Sequence, residues 1–169
     1  MKKRIDKHEI NLEKGKSLYY EYYGSKFGMY RDGLGNEYAD CNVPQAIENE
    51  WKSDILSKLE NEIKSAQGDE LHVSVSAYMH LLPAGPEWLI QLLQTRAMDT
   101  FTAIIFCEQL KNMTRTHPLK KMRVRRFLDK FKTKLLNEPI TIHETYKNDD
   151  YMQNYDFSDD NIKARISAI

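Results

Sequence analysis

The segment from Lys111 to Lys134 is unusually basic, because it holds ten lysines and arginines and only one acidic residue, Asp129. Such a cluster can neutralise phosphates or meet an acidic protein surface. On a helical wheel the cations fall outside an apolar arc. The pattern predicts a basic helix over 118–136 with a solvent-facing candidate binding surface. Its members are Arg123, Arg125, Arg126, Lys130 and Lys132.

Three interpretations of this basic helix remain open. It can be a solvated face that the chain's own acidic end shields, since residues 138–160 carry seven carboxylates against a single Lys147. Exposed ion pairs of this kind contribute only about 0–1 kcal/mol each, so shielding would serve selectivity more than stability. It can bind an acidic surface of another protein, or it can bind nucleic acid.

Tyrosines are concentrated in residues 19–38 and form a second candidate surface. Alternation along a strand would place Tyr20 and Tyr22 on one face. Exposed tyrosine is typical of protein-binding hot spots, because it offers contact area and a hydroxyl group at low entropic cost. Packing of this sheet face beneath a helix is the alternative hypothesis. We therefore include Tyr20 and Tyr22 among the candidate partner-binding residues.

No arrangement of residues indicates catalysis, a metal or a cofactor. The five histidines lack metal-ligand spacing, there is no HExxH motif, and Cys41 and Cys107 are not in a CxxC pair. The glycines of 33–35 precede a predicted strand, whereas a phosphate-binding loop requires a following helix. We predict no catalytic residues, no metal ligands and no cofactor. A hydrolase site assembled across the fold is the remaining enzymatic hypothesis.

Composition favours a compact, cytoplasmic protein. The chain has 169 residues, 41% of them hydrophobic and 11% aromatic, and a formal net charge of zero. The charged start, Met1 to Lys7, is not followed by an apolar stretch, so we expect no signal peptide. No run of about 18 apolar residues occurs, which predicts no membrane span. Two cysteines in a chain of this length favour reduced thiols over a disulfide scaffold.

The N-terminal part predicts β structure over residues 16–41. Its aromatic residues favour strands. Asp32-Gly33 separates two aromatic runs, which is typical of a hairpin turn, because glycine tolerates a positive φ. We therefore expect an antiparallel β unit at this end of the chain.

Residues 44–136 are predicted to be rich in helix. Pro44 suits a first helical turn, and apolar residues then recur every four positions from Ile47 to Ile63. Residues 70–82 and 101–106 fit either a helix or a strand. Residues 83–86 are a break, and one long helix, or two meeting near Asp99, should follow it. Residues 140–146 alternate and predict a short late strand.

These patterns predict an α+β fold in one domain of residues 1–169, with an acidic, aromatic C-terminal extension at 147–169. The predicted function is that of a non-enzymatic, cytoplasmic protein-interaction module, such as an immunity-type or regulatory binding protein. Its expected partner is a protein with an acidic surface. The alternative is a nucleic-acid-associated protein that uses the basic helix 118–136.

Overall fold

The computed structural model describes residues 10–82 and 85–169, and within these ranges the regular structure is entirely helical. The charged start of the chain, His8 and the first half of the predicted break at 83–86 lie outside them. A short 3-10 turn, Pro118–Lys120, leads into the eighth helix, and another, Asp150–Met152, follows the ninth. The α-helices are α1 Leu12–Glu21, α2 Lys26–Arg31, α3 Gly35–Ala39, α4 Gln45–Ser65, α5 Gly68–Leu81, α6 Pro86–Thr95, α7 Thr100–Met113, α8 Lys121–Asn137, α9 Glu144–Lys147 and α10 Asp159–Ala168.

The predicted α+β fold is wrong, because the expected β unit at 16–41 consists of the three short helices α1–α3. Asn11 caps α1 by accepting a hydrogen bond from the amide of Lys14 at 3.1 Å, and Ser25 caps α2 in the same way. The aromatic residues gain their burial from helix packing: the Tyr19 ring lies 5.7 Å from Trp51 and 6.0 Å from Tyr38. Strand propensity is a weak preference, and tertiary packing overrides it here.

Two glycines of this region, Gly24 and Gly33, follow helix ends and do not turn hairpins. Gly33 follows α2 with φ +81°, and Gly24 follows α1 with φ +70°. The Gly24 amide donates to the carbonyl of Tyr19 at 2.7 Å, which satisfies an orphan carbonyl at the helix end. The predicted hairpin at Asp32-Gly33 is therefore wrong, because the elements on either side of it are the helices α2 and α3.

The helical periodicity of the middle part corresponds to real helices. α4 begins directly after Pro44, and its four-residue row buries Trp51, Ile55, Leu59 and Ile63. Residues 70–82 lie in α5, except for Leu82. Residues 101–106 lie in α7. Asp99 separates α6 from α7 and caps the latter, accepting from the amide of Thr102 at 3.1 Å.

The expected late strand at 140–146 is also wrong. This segment has no strand partner among the described residues, and α9 begins at Glu144 with His143 as its cap. Residues before it cross the start of α7: the amide of Phe101 donates to the carbonyl of Thr141 at 3.3 Å. The amide of Thr141 in turn donates to Oγ1 of Thr100 at 2.9 Å. This segment is therefore a connection held by backbone and side-chain hydrogen bonds to the start of α7, and it is not a strand.

The described residues form two compact units, whose boundaries fall within α4 and α5. The first comprises residues 10–61 and Ala77–Leu82, and Met29 and Leu59 are fully buried in it. The second comprises Glu62–Ser76 and residues 85–169, and contains α6–α10. Its core includes Phe106, Ile162 and Ile166, each of them fully buried. Burial of such side chains stabilises each unit by roughly 1.5–3 kcal/mol per residue.

None of the helices in the described ranges combines the length with the apolar composition that a bilayer crossing demands.

Candidate functional site

Helix α8 is positioned by one apolar face. Its buried residues recur at three- and four-residue intervals, which places them on one side of the helix axis. This side packs against α7, α6 and α10, so the basic side chains are directed outward. The buried residues are Val124, Leu128, Phe131 and Leu135.

The outward side of α8 carries cations, most of which have no carboxylate partner in the described part of the chain. We define the basic face as Arg123, Arg125, Arg126 and Lys130, all of them exposed. Within it, only Arg123 has an ion-pair contact, at 3.8 Å from Glu87. The helix wheel places Arg126 and Lys130 opposite the buried face. These two side chains are therefore free to meet another molecule.

Two large apolar side chains extend this surface at the start of α8. Leu119 is 99% exposed and Met122 is 70% exposed. Met122 precedes Arg126 by four residues, so both lie on the same side of the helix. Exposed apolar groups next to cations distinguish this surface from an ordinary solvated helix face.

A groove of about 470 Å³ runs along the side of α8 that faces α6. Ile90 and Phe127 contribute apolar surface to it, and Arg123, Arg126 and Lys130 contribute positive charge. We refer to it as the α6–α8 groove. Glu87, which lies 3.8 Å from Arg123 of the groove, accepts a hydrogen bond from Nζ of Lys120 at 2.7 Å, and this bond lowers the pKa of Glu87. The groove therefore combines apolar side chains with a net positive charge, since three cations and one carboxylate, Asp129, line it.

A second groove, of about 380 Å³, lies between α7, α8 and the end of α10. Nζ of Lys111 donates to the carbonyl of Ala168 at 2.7 Å, and Nζ of Lys132 donates to the carbonyl of Ser167. These lysines satisfy the orphan carbonyls of a helix end. Lys132, a predicted site residue, is thus half-buried and engaged within the fold. Arg125 and Lys121 line the same groove and remain exposed.

The electrostatics of α8 are unfavourable for the isolated helix. No acidic residue lies in its first turn, where the helix dipole favours negative charge. Instead, Lys121 and Arg123 add to the positive end of the dipole. This arrangement costs stability, and an anionic partner would relieve it.

The acidic extension does not neutralise the basic face. In the described ranges, the one ion pair between α8 and residues 138–160 joins Lys134 to Glu138 at 3.9 Å. Carboxylates of the extension cap local turns instead: Asp149 accepts from the amide of Tyr151 and Asp156 from that of Ser158, both at 2.9 Å. The second bond lowers the pKa of Asp156.

Tyr20 and Tyr22 belong to the first unit, whereas the basic face belongs to the second. The Tyr20 hydroxyl donates to Oδ2 of Asp54 at 2.6 Å, and burial together with this bond raises the pKa of Tyr20 to about 12. Tyr22 is half-buried at the end of α1, and its pKa is raised by loss of water contact and by a hydrogen bond with Asp32. The Tyr20 hydroxyl is therefore engaged within its own unit.

The sequence predictions missed the apolar part of the site. Leu119, Met122 and Ile90 were not singled out, although a helical wheel of 118–136 places Leu119 and Met122 far from the buried arc. Ile90 could not be found in this way, because its role depends on the packing of α6 against α8.

The described residues hold no group of three or more histidines, cysteines or acids that could bind a metal ion. Both cysteines are buried. Burial raises the pKa of Cys107 to about 12, so its thiol is protonated at neutral pH and is a poor nucleophile.

Comparisons with known proteins found no matching family model, no matching curated protein and no matching solved structure.

Proposed function

We propose that this chain is a non-enzymatic, cytoplasmic protein-interaction module that binds an acidic surface of another protein through the basic face and the adjoining α6–α8 groove. The observation that carries this proposal is the exposure of Arg125, Arg126 and Lys130 without an ion-pair partner in the described ranges, next to the exposed Leu119 and Met122.

The chemical composition of the surface favours a protein partner over nucleic acid. Protein interfaces combine an apolar centre with a polar rim, as Ile90 and Phe127 do with the arginines around them. Leu119 and Met122 offer neither hydrogen bonds to phosphates nor rings for base stacking.

The lining residues of the α6–α8 groove suit an amphipathic helix with an acidic side. Its apolar residues would lie over Ile90 and Phe127, and its carboxylates would pair with Arg126 and Lys130. Charge complementarity of this kind accelerates association and rejects partners of the wrong sign. A regulatory or immunity-type protein, which recognises one partner tightly, would use the surface in this way.

The test compares three probes that carry the same net charge. The first is a helical peptide with leucine at i, i+3 and i+4 and glutamate on its other side, the second is oligoglutamate, and the third is a DNA duplex. We expect the amphipathic peptide to bind most tightly. Arg125→Glu with Arg126→Glu should weaken its binding by roughly tenfold or more. The matched control is Lys147→Glu with Lys163→Glu, two exposed lysines of the same unit.

A second pair of variants tests the apolar part separately. Leu119→Ser with Met122→Ser should lower the affinity for the amphipathic peptide by several-fold and leave the affinity for oligoglutamate unchanged. Tightest binding of the duplex, with a steep dependence on salt, would support the nucleic-acid alternative and overturn the proposal. If the control pair Lys147→Glu with Lys163→Glu lowers the affinity for the peptide as much as Arg125→Glu with Arg126→Glu does, net charge alone governs binding.

A further inference from the structure

A small cleft of about 220 Å³ lies in the first unit, where α2 and α3 meet the start of α4. We refer to it as the Glu48 cleft. It belongs to the other unit from the basic face, so the inference below is independent of the proposed function. The cleft is lined by Lys26, Met29, Tyr30, Gly35, Tyr38, Ala39, Asn42, Val43 and Glu48.

Glu48 is the only charged residue that is buried within the described ranges, with an exposed fraction of 6%. Its Oε1 accepts a hydrogen bond from the hydroxyl of Tyr38 at 2.6 Å and lies 2.9 Å from Nζ of Lys26. Its Oε2 accepts from the same Nζ at 3.0 Å. A buried carboxylate requires a positive partner, because desolvation of an unpaired charge costs several kcal/mol.

Aromatic rings complete the surroundings of this carboxylate. The Lys26 ammonium lies 5.8 Å from the centroid of the Tyr38 ring, within the range of a cation–π contact. The Tyr30 ring lies directly over Gly35, where a Cβ atom would overlap it. Gly35 therefore sets the position of Tyr30 in the wall of the cleft. A carboxylate beside two tyrosine rings is the chemistry by which proteins recognise organic cations.

The Lys26 ammonium occupies this site from the solvent side. Its side chain is 53% exposed, whereas the Glu48 side chain is 7% exposed. Lys26 is also the first residue of α2, where the helix dipole disfavours a cation. The lysine can therefore rotate into water at little cost, provided that another cation takes its place on Glu48.

Lys26 and Tyr30 of the cleft are exposed, so a small ligand can reach it from solvent. Buried ion pairs that serve only stability can be replaced by apolar residues. Ala39 and Val43, which also line the cleft and are not fully buried, supply apolar surface for a short alkyl chain.

We propose that the Glu48 cleft binds a primary alkylammonium group, which replaces the Lys26 ammonium on Glu48 and lies against the rings of Tyr30 and Tyr38. The ligand is either a small free amine or a lysine side chain of another protein, since both present the same group. Lys26 acts as an internal competitor that keeps the affinity of the wild type low.

The experiment titrates the full chain with n-propylammonium chloride at constant ionic strength and follows the backbone amide signals of Ala39 and Asn42 by NMR. Lys26→Met removes the competitor and should tighten binding by roughly tenfold over the wild type. Lys26→Gln, which keeps a donor for Glu48, should tighten it as well and serves if Lys26→Met does not fold. Lys16→Met is the matched control, because Lys16 also lies over a tyrosine ring, 5.2 Å from Tyr20, but has no buried carboxylate beside it.

Two further arms establish the chemistry and the source of the ligand. Lys26→Met with Glu48→Gln removes both charges together and should abolish binding, and propan-1-ol should not bind to any variant. Tighter binding of a capped Gly-Lys-Gly peptide than of propylammonium supports a protein lysine as the ligand, and the reverse order supports a free amine. The proposal is overturned if neither Lys26 variant shows saturable binding, or if binding survives Glu48→Gln.

Discussion

Arg165 holds the C-terminal helix to the second unit by several contacts at once. Its Nε donates to Oε1 of Glu108 at 3.0 Å, and its Nη2 donates to Oε2 at 2.7 Å. Its Nη1 donates to the Tyr155 hydroxyl at 2.7 Å. The guanidinium carbon also lies 4.9 Å from the centroid of the Phe101 ring. Replacement of Arg165 by methionine keeps the aliphatic stem and removes all of these contacts.

The expected loss of unfolding free energy can be estimated from the exposure of the groups that Arg165 contacts. The Glu108 side chain is 43% exposed, so water compensates it after the change and the two-pronged ion pair contributes about 1 kcal/mol. The hydrogen bond that Arg165 donates to the Tyr155 hydroxyl and the cation–π contact with Phe101 contribute about 0.5–1 kcal/mol each. Arg165→Met should therefore lower the free energy of unfolding by about 2–3 kcal/mol. For a chain of this length, this corresponds to a melting temperature lower by roughly 5–10 °C.

The assay is urea denaturation of a double-mutant cycle with Glu108→Gln. The coupling energy between the two positions should be about 1 kcal/mol, and the remaining loss should persist in the Glu108→Gln background. Lys163→Met, an exposed lysine on the same helix, is the control and should change the free energy of unfolding by less than about 0.5 kcal/mol. If Arg165→Met behaves like this control, the contacts described above do not stabilise the unit.

Three further predictions follow from backbone conformation and burial. Gly33→Ala and Gly68→Ala both place a side chain at positive φ, which costs about 1–2 kcal/mol. Gly68→Ala should cost more in urea denaturation, because its Cβ would also overlap Thr145, whereas nothing lies within 4 Å of one at Gly33. The folded state binds the Tyr20 proton more tightly than the unfolded state does. The contribution of Tyr20 to the free energy of unfolding should therefore be fully present below pH 10 and decrease as the pH rises towards about 12. The free energy of unfolding should decrease less over this range in Tyr20→Phe. Finally, Cys107 in a Cys41→Ser background should react with Ellman's reagent at pH 8 only after unfolding in urea, since burial raises its pKa to about 12; fast reaction in the native state would contradict its burial.

Sequence periodicity predicted the long helices but not the short ones. The row from Ile47 to Ile63 repeats often enough to identify a helix without other information. α2 and α3 have six and five residues, too few for a periodic pattern. Tyrosine-rich residues around Asp32-Gly33 then favoured a hairpin by local propensity. The decisive signal, the packing of Tyr19 against Tyr38 and Trp51, joins residues distant in sequence.

The candidate site was predictable to the same extent. The wheel of 118–136 places Arg126 and Lys130 outward, and the structure has them exposed there. The helical wheel cannot show that Lys132 donates to the carbonyl of Ser167 at the end of α10, because that contact depends on where α10 packs. It also cannot find the Glu48 cleft, since a glutamate in a polar stretch gives no sign of burial until α2 and α3 cover it.

The acidic extension gives the basic face its support and does not cover it. Ile162 and Ile166 of α10 are fully buried, and α10 packs against α7 and α8. Lys111 and Lys132 meet the carbonyls at its end, so these two cations are used within the fold. Because the carboxylates of the extension cap turns and start α10, they are used locally as well. The net charge of the chain is zero. However, within the described ranges, the acidic side chains of residues 138–160 and the basic side chains of α8 make their contacts in different parts of the fold, apart from the ion pair of Lys134 with Glu138. What remains on the outer side of α8 is therefore an excess of positive charge that the overall composition conceals.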